Sequence, residues 1–265
     1  ARLALDQALG DGVQPMAVYL SVLVPTQRRV GELWLDGKLS IAGEHLATEI
    51  TSVEMEYLRA RAPRKPALGK RAMVAIAPGE RHALGGRIVA DFLFVDGWEV
   101  DFLGADVPAS ELAAFVQDRK PDVLAISVVL AHNLGRAAEA ARAVREAVPD
   151  IPIMLGGTAI RDQLHAEELG ANGYAADASD AVRIARVLAG LGSAATLDQL
   201  LKDLGNRIQA RRRLMNWNQQ ALADASGLDR TYVSALENGR QNLTVGALVK
   251  IAQALQLAPG DLLGD

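Results

Sequence analysis

The sequence predicts a chain of several domains: an N-terminal helical bundle, a central α/β domain with a five-stranded parallel sheet, and an all-α C-terminal domain. Three patterns predict this arrangement. Apolar residues recur at helical spacing in residues 1–62, short apolar runs alternate with amphipathic stretches in residues 70–192, and residues 196–265 are helical in pattern throughout. The length of 265 residues agrees with it, because typical domains hold roughly 100 to 150 residues.

The N-terminal segment is predicted to form several short helices. Apolar residues such as Leu5 and Leu9, and later Val18 and Val22, lie four positions apart, and glycines and prolines interrupt the pattern. Residues 61–69 contain two prolines and three basic residues and cannot continue a helix. We therefore place the first domain boundary in that stretch.

The central segment has the alternation expected of an α/β domain. Short apolar runs at residues 73–77, 99–103, 123–129 and 151–155 are separated by helical segments. Buried strands that alternate with helices are typical of a parallel sheet covered on both faces. We expect a doubly wound domain of flavodoxin-like (Rossmann-like) topology, whose ligands would bind at the carboxyl ends of the strands.

Composition excludes several classes of chemistry. The chain has no Cys, which excludes disulfides, thiolate metal sites and Cys nucleophiles. No apolar run approaches the roughly 18 residues of a membrane span, and no signal peptide is recognisable, so we expect a soluble cytoplasmic protein without membrane contact. Residues from Thr196 onward carry eight Lys and Arg against seven Asp and Glu, which is too small an excess to predict nucleic-acid binding by charge.

One histidine lies where such a fold would bind its ligand. His82 follows the first predicted strand, and Glu80 is close enough in sequence to hydrogen-bond its ring. A carboxylate on one imidazole nitrogen fixes the tautomer and raises the basicity of the other nitrogen, an arrangement typical of metal-ligating histidines. Taken alone, such a pair is more often a surface ion pair than a metal site. We assign no ligand role to His132 or His165.

Three motifs together resemble the signature of cobalamin-binding domains, in which a histidine replaces the lower base on cobalt. Glu80-x-His82-x-x-Gly85 is similar to its first element. Ser127-Val128-Val129 at the end of the third predicted strand is similar to its Ser-x-Leu element, and Gly156-Gly157-Thr158 follows the fourth strand as its Gly-Gly element. The resemblance implies that His82 is the lower axial cobalt ligand. The small residues would let the nucleotide tail of the cofactor lie between strands. The residues assigned to the cofactor by this signature are Glu80, His82, Gly85, Ser127, Val129, Gly156, Gly157 and Thr158.

The helical segment adds a second resemblance. Nine residues separate Trp34 from Glu44-His45, which is similar to the helical cap of the CarH/LitR group of light-sensing regulators. The resemblance implies that Trp34, Glu44 and His45 cover the upper face of adenosylcobalamin, that light breaks the cobalt–carbon bond, and that the cap then shifts. Without it, Trp34 would be read as bundle core and Glu44-His45 as a solvated face. The group has a histidine directly after the Trp where this chain has Leu35. Another upper ligand or an added bilin therefore stays open.

The C-terminal segment has the capping residues of a helix-turn-helix. Asn218 and Asp229 can cap its second and third helices, Gly227 permits the turn between them, and Gly239 can end the third helix. The pattern through residue 263 resembles the phage-repressor (XRE-type) helix-turn-helix family. By the docking geometry of that family, Gln219, Arg230, Thr231, Tyr232 and Ser234 are candidates for base edges, and Arg212, Asn238 and Arg240 for phosphates. A helix-turn-helix used for protein contact is the alternative.

These resemblances predict a cobalamin-dependent, light-sensing regulator of transcription rather than an enzyme. Cofactor state would set the arrangement of a homo-oligomer, a dimer or tetramer, and thereby the binding of a double-stranded DNA operator. Two alternatives stay open. One is a corrinoid protein of methyl transfer, and the other is a cobalamin-level or bilin sensor without cobalamin photochemistry.

Overall fold

The computed structural model describes residues 2–191 and 197–263. The chain divides into two compact units, Ala1–Leu191 and Gly192–Asp265. The predicted boundary between residues 192 and 196 lies outside the described residues. Within the described part of the chain, no helix has the length and apolar character needed to cross a membrane.

The first unit begins with helices, as predicted. A π-helical segment at Tyr19–Leu23 connects α2 directly to α3, so that the three segments form one continuous helix. Ser40 begins α4, because its hydroxyl accepts a hydrogen bond from the backbone N–H of Gly43 at 3.1 Å. The helices are α1 (Arg2–Gly10), α2 (Pro15–Val18), α3 (Val24–Leu35) and α4 (Ile41–Arg59).

A five-stranded parallel sheet follows, with strand order β2-β1-β3-β4-β5. This is the doubly wound order that the sequence predicts, and its switch point lies between β1 and β3. A 3-10 turn at Ala131–Asn133 precedes α7. The elements are β1 (Arg71–Ile76), α5 (Leu84–Val95), β2 (Glu99–Phe102), α6 (Ala109–Arg119), β3 (Val123–Ser127), α7 (Leu134–Ala147), β4 (Ile153–Gly156), α8 (Gln163–Glu168), β5 (Gly173–Ala175) and α9 (Ala178–Leu188).

The strand limits differ from the sequence prediction in ways that the backbone explains. Pro152 has no N–H to donate to a neighbouring strand, and β4 begins only after it, at Ile153, not at Ile151. β3 ends at Ser127. The N–H of Val128 still donates to the carbonyl of Gly156, but those of Val129 and Leu130 donate to the carboxylate of Glu80 instead of a strand. β5 has three residues, which is too few for an apolar run to reveal its position.

Both faces of the sheet are covered by apolar residues. One face packs against α6 and α7 through residues such as Leu112, Val116 and Val144, and the other against α5 and α9 through Leu93 and Ala185. The N-terminal bundle packs on α5, where Leu84, Ile88 and Phe92 join the apolar cluster of the bundle. The bundle and the sheet therefore form one compact unit, although residues 61–69 between them contain neither helix nor strand.

A buried polar contact also joins the bundle to α5. The hydroxyl of Tyr19 donates to the carboxylate of Asp91 at 3.0 Å, and it lies 2.6 Å from the carbonyl oxygen of Met55. Both Tyr19 and Asp91 are buried. Burial, followed by the neighbouring negative charge, raises the pKa of the Tyr19 hydroxyl well above its ordinary value, and burial likewise raises the pKa of Asp91.

The second unit is helical throughout its described residues. Its apolar core includes Leu204, Ile208, Leu222, Val233 and Ile251, contributed by four different helices. The helices are α10 (Leu197–Leu214), α11 (Gln219–Ser226), α12 (Arg230–Glu237), α13 (Val245–Ala254) and α14 (Pro259–Leu263). The all-α fold predicted for this segment is confirmed.

Candidate functional site

Glu80 is the buried centre of the loop that follows β1. Its side chain has no solvent exposure, and its carboxylate contacts Nδ1 of His82 and accepts from the N–H of Leu130 at 2.9 Å and from Nδ2 of Asn133 at 3.2 Å. Further backbone donors are Arg81, His82 and Val129. Burial raises the pKa of this carboxyl, but the hydrogen bonds outweigh burial and hold the pKa at about 2. Glu80 is therefore an anion at neutral pH.

The imidazole of His82 is held by that anion at the surface of the domain. Its Nδ1 atom faces Glu80, and 57% of the side chain is exposed to solvent. A carboxylate at Nδ1 keeps the proton there, so that the lone pair of Nε2 is directed away from the protein. One neutral imidazole supplies a single metal ligand, which suits a metal that a macrocycle already holds by its other positions.

Asn133 is a site residue that the sequence did not reveal. It is completely buried in the 3-10 turn before α7, and its amide donates to Glu80. A buried amide bonded to a buried carboxylate restricts the carboxylate to one position, and the carboxylate in turn restricts His82. No spacing rule points to Asn133, because it lies in an irregular turn 53 positions after Glu80.

A cavity of about 340 Å³ lies beside this loop, at the carboxyl ends of the strands. Small residues of α5 and of the strand ends form much of its wall, among them Gly85, Ser127 and Thr158, and α9 contributes Ala178 and Ala181. The sequence predicts that a ligand binds at this edge of the sheet, and the structure has a cavity there. Val129 is not among the described lining residues. Its carbonyl accepts from the hydroxyl of Thr158, and its N–H donates to Glu80.

Gly156 and Gly157 line the cavity, but they also serve the backbone. A Cβ atom added at Gly156 would lie 2.8 Å from the carbonyl oxygen of Ala175, and one added at Gly157 would lie 2.3 Å from that of Val128. Gly157 also has a φ of +99°, which disfavours other residues. We expected the two glycines to allow close approach of a cofactor. In the structure the chain's own backbone already requires them.

The residues predicted to cap the site lie on α3 and α4, with substantial exposure. Trp34 is 44% exposed and is not bundle core, and Glu44, in the first turn of α4, accepts from the hydroxyl of Thr48 at 2.9 Å. Nε2 of the exposed His45 lies 3.7 Å from Glu44. None of Trp34, Glu44 and His45 is among the described residues that line the cavity.

Three other residues of the bundle do reach the cavity. Leu20, Val24 and Arg28 lie four positions apart along the π-helical segment and α3, and all three line the cavity wall. Residues four positions apart share one face of a helix, so this face is directed at the carboxyl edge of the sheet. Their spacing is visible in the sequence, but the sequence does not indicate which face of the bundle meets the sheet.

The helix-turn-helix forms as its capping residues predict. The side chain of Asn218 accepts from the N–H of Ala221 at 2.8 Å, and that of Asp229 accepts from Thr231 at 2.7 Å. Gly227 and Gly239 have left-handed backbone conformations that end α11 and α12. The hydrogen bonds from Thr231 lower the pKa of Asp229, so the cap at the start of α12 is charged at neutral pH.

The predicted DNA contacts fall into two groups. Arg230, Thr231, Asn238 and Arg240 are exposed on or just after α12. Tyr232 and Ser234 are half-buried, and the hydroxyl of Tyr232 donates to the carbonyl of Asn242 at 3.2 Å. Gln219, at the start of α11, donates to Glu237 at 2.9 Å.

Arg212 is also a predicted phosphate contact, and its side chain lies largely inside the domain. Its side chain is only 8% exposed, and it donates to the buried carboxylate of Glu237 at 2.5 and 2.8 Å and to the carbonyl of Trp217 at 2.6 Å. The guanidinium has its hydrogen bonds inside the domain. Arg212 therefore stabilises the fold of the helix-turn-helix unit, and its contact with a phosphate stays a prediction.

Three family models match the chain. Residues 1–59 and residues 70–183 each match a model described as a B12 binding domain, and residues 208–262 match a helix-turn-helix model. The two B12 matches coincide with the helical bundle and the parallel sheet. The helix-turn-helix match lies within the second unit.

Relatives of two kinds are found. The HTH-type transcriptional repressor CarH of Myxococcus xanthus is 31% identical over 160 residues, which are 59% of this chain and 52% of that protein. The trimethylamine corrinoid protein of Methanosarcina barkeri is 30% identical over 184 residues, 67% of this chain and 83% of that protein. The chain spans about half the length of CarH and of the repressor CarA from the same organism.

The fold also matches a solved structure. The monomethylamine corrinoid protein of Methanosarcina barkeri superposes with a TM-score of 0.61 at 22% identity, over 68% of this chain and 86% of that protein. The comparison supports the architecture of the first unit, a helical bundle followed by a parallel sheet.

Proposed function

The chain belongs to the B12-binding protein family, and on that premise we propose that it is a cobalamin-dependent, light-sensing regulator of transcription. The observation that carries the proposal is the presence, in one chain, of the Glu80–His82 pair beside a strand-end cavity and of a helix-turn-helix whose recognition helix exposes polar residues. In this proposal residues 1–62 cap the cofactor, residues 70–192 bind it, and residues 196–265 bind DNA.

The residues present fit a corrinoid with its own base displaced. Glu80 keeps its charge, holds the proton of His82 at Nδ1, and would leave Nε2 to bind the cobalt. The cavity at the strand ends has apolar and small side chains around it, including Ala125, Ala175 and Ala181, which suits a slender, partly aromatic tail. Ser127 and Thr158 would supply hydrogen bonds inside it.

The upper face of the cofactor belongs to the bundle in this proposal. The exposed ring of Trp34 offers flat apolar cover, and Glu44 and His45 offer polar groups at the start of α4. When bound, adenosylcobalamin would supply a cobalt–carbon bond that light breaks. With Leu35 directly after the Trp, the chain offers no imidazole at that position, and His45 is the imidazole of the bundle that would be available to the cofactor.

The regulatory output would be a change in oligomeric arrangement, without enzymatic turnover. A helix-turn-helix reads half-sites about one helical turn apart, and this requires two copies of the chain. A cofactor state that binds one oligomeric arrangement better than another shifts the population toward that arrangement, and with it the DNA affinity.

The first experiment loads the full chain with adenosylcobalamin in the dark and records absorption spectra and molecular size before and after green light. We expect a retained corrinoid spectrum in the dark, a spectral change on illumination, and an accompanying change in oligomeric size and operator binding. The His82→Ala variant is the matched control. Spectra and size that stay constant in light would contradict light sensing and leave a cobalamin-level sensor.

A corrinoid protein of methyl transfer is the second candidate. The likeness to the trimethylamine corrinoid protein, which covers bundle and sheet together, favours it. The helix-turn-helix argues against this candidate, because a protein that carries a methyl group between enzymes needs no DNA-binding domain. Methylation of the bound corrinoid by a partner methyltransferase, with unchanged DNA binding in every cofactor state, would decide in its favour.

A further inference from the structure

We propose that Arg28 recognises the phosphodiester of the cofactor's nucleotide loop, so that the chain selects complete cobalamins over corrinoids that lack the loop. The proposal rests on the proposed function, because it assigns a part of the same ligand to a residue outside the cobalamin-binding motifs described above. The proposal is based on the position of Arg28, a cation without an ion-pair partner among the described residues, at a strand-end cavity whose lining is otherwise nearly uncharged.

The position of Arg28 follows from the face of α3 on which it lies. Leu20, Val24 and Arg28 all line the cavity, and Arg28 is exposed, whereas wall residues such as Val74 and Met154 are buried. Arg28 therefore lies toward the open side of the cavity, and the apolar residues lie deeper. A fitting ligand has an apolar part that enters first and an anionic part that stays near the opening.

The charges around the cavity restrict the ligand further. Arg28 and Asp177 are the two charged residues among its described lining. Asp177 caps α9, since its carboxylate accepts from the N–H of Asp180 at 2.9 Å, and the positive end of that helix offsets its charge. Arg28 forms no ion pair with any residue that the structure describes, and its guanidinium is free for an external anion.

Cobalamin chemistry matches this distribution. Its nucleotide loop ends in a flat benzimidazole, which suits the apolar depth, and carries one phosphodiester, which is the anion of the loop. Arginine pairs with phosphate oxygens through two parallel N–H donors, and the geometry favours phosphate over a neutral amide. Arg28 would thus act as a specificity residue rather than as a ligand of the metal.

The chain supplies a closely matched control. Arg29 is the next residue on the same helix, but it pairs with Glu32 at 2.8 Å, its side chain is 62% exposed, and it is not among the cavity lining. Arg28→Ala and Arg29→Ala change the net charge equally. Alanine favours the helix at both positions, so neither variant threatens folding.

The experiment measures dissociation constants of cobalamin, cobinamide and cobinamide phosphate for the full chain by absorption titration in the dark. Cobinamide lacks the whole nucleotide loop, and cobinamide phosphate restores the phosphate without the base. We expect Arg28→Ala to weaken the binding of cobalamin and of cobinamide phosphate about tenfold or more and to leave the affinity for cobinamide unchanged. Arg29→Ala should leave the affinity for all three ligands unchanged. Arg28→Lys should recover part of the lost affinity. Added salt should weaken the binding of cobalamin and cobinamide phosphate less in Arg28→Ala than in the parent chain.

Three outcomes overturn the inference. The first is an unchanged cobalamin affinity in Arg28→Ala. The second is a loss of affinity in Arg28→Ala that is equal for cobalamin and cobinamide. The third is a loss of cobalamin affinity in Arg29→Ala as large as that in Arg28→Ala. A parent chain that retains no corrinoid at all would overturn the proposed function itself. A parent that binds cobalamin with any of the three outcomes overturns only the role of Arg28.

Discussion

The guanidinium of Arg212 donates two hydrogen bonds to the carboxylate of Glu237, at 2.5 and 2.8 Å, inside the helix-turn-helix unit. The pair joins α10 to the end of the recognition helix α12. Burial raises the pKa of Glu237, but the hydrogen bonds from Arg212 and Gln219 outweigh burial and lower it. The orientation of α12 therefore depends on an ion pair that is largely buried.

The first prediction is that Arg212→Met destabilises this unit at neutral pH. Removing one partner of a buried pair leaves an uncompensated charge, which typically costs about 3–5 kcal/mol of the free energy of unfolding. The control is Arg213→Met, whose side chain is exposed. Amide hydrogen exchange of α10 and α12 in the full chain measures the difference. Equal protection in the two variants would contradict it.

The same pair predicts a pH dependence of definite sign. Because the pKa of Glu237 is lowered in the folded chain, its stabilising contribution is complete above the ordinary pKa of a glutamate, near 4.3, and is lost as the pH falls through the lowered pKa. In Arg212→Met the unpaired carboxylate takes up a proton as the pH falls. We therefore expect the difference between parent and variant to be smaller at pH 4 than at pH 7, and a constant difference would argue against the ion pair as its source.

A second prediction concerns His82, the proposed cobalt ligand. His82→Ala removes the imidazole but leaves Glu80 its backbone donors and Asn133, so the loop should keep its shape. We expect the absorption spectrum of bound cobalamin to lose the signature of a nitrogen ligand from the protein. His132→Ala, at an exposed position of the adjacent 3-10 turn, is the control. An unchanged spectrum in His82→Ala would remove His82 from the cobalt.

Asn133 carries a third prediction. Replacing it by Ala withdraws one donor from the buried carboxylate of Glu80, and the imidazole of His82 becomes less firmly oriented. Loss of such an outer partner typically lowers the affinity for the metal group about 10- to 100-fold. We expect weaker cobalamin binding with unchanged DNA affinity of the cofactor-free chain. Full cobalamin affinity in Asn133→Ala would show that the backbone donors suffice.

The sequence predicted the parts of this protein that depend on local rules. Alternation of apolar runs gave the parallel sheet, and Asn218 and Asp229 marked the starts of two helices, because capping needs only neighbours in the chain. Asn133, Arg28 and the burial of Arg212 were not predictable in this way. Each depends on a part of the chain that is distant in sequence. Asn133 contacts Glu80, Arg28 lies at the cavity beside the sheet edge, and Arg212 pairs with Glu237.

A fourth prediction tests the contact between the bundle and α5. Tyr19→Phe keeps the ring but leaves the carboxylate of Asp91 and the carbonyl of Met55 without the hydroxyl. Arg59 and Arg87 remain 3.6 Å from that carboxylate, so the loss of the buried hydrogen bond should cost about 1 kcal/mol, and α1 to α4 should exchange amide hydrogens faster. Tyr57→Phe, which removes a hydroxyl bonded to Asp6 at the surface, is the control and should have little effect. Similar exchange in the two variants would contradict the role of Tyr19.

The last prediction separates contacts to bases from contacts to phosphates in the helix-turn-helix unit. Arg230 is exposed at the first position of α12, where the recognition helix of this fold meets base edges, and Arg240 lies just beyond the end of that helix. Arg230→Ala should weaken binding to the operator by about 1–3 kcal/mol while weakening binding to unrelated DNA less. Arg240→Ala should weaken both nearly equally, because a phosphate contact carries no sequence information. Binding of both variants to operator and scrambled DNA at several salt concentrations measures the difference. If Arg230→Ala lost affinity equally on both sequences, Arg230 would be a phosphate contact, and the reading of bases would fall to Thr231 and its neighbours on α12.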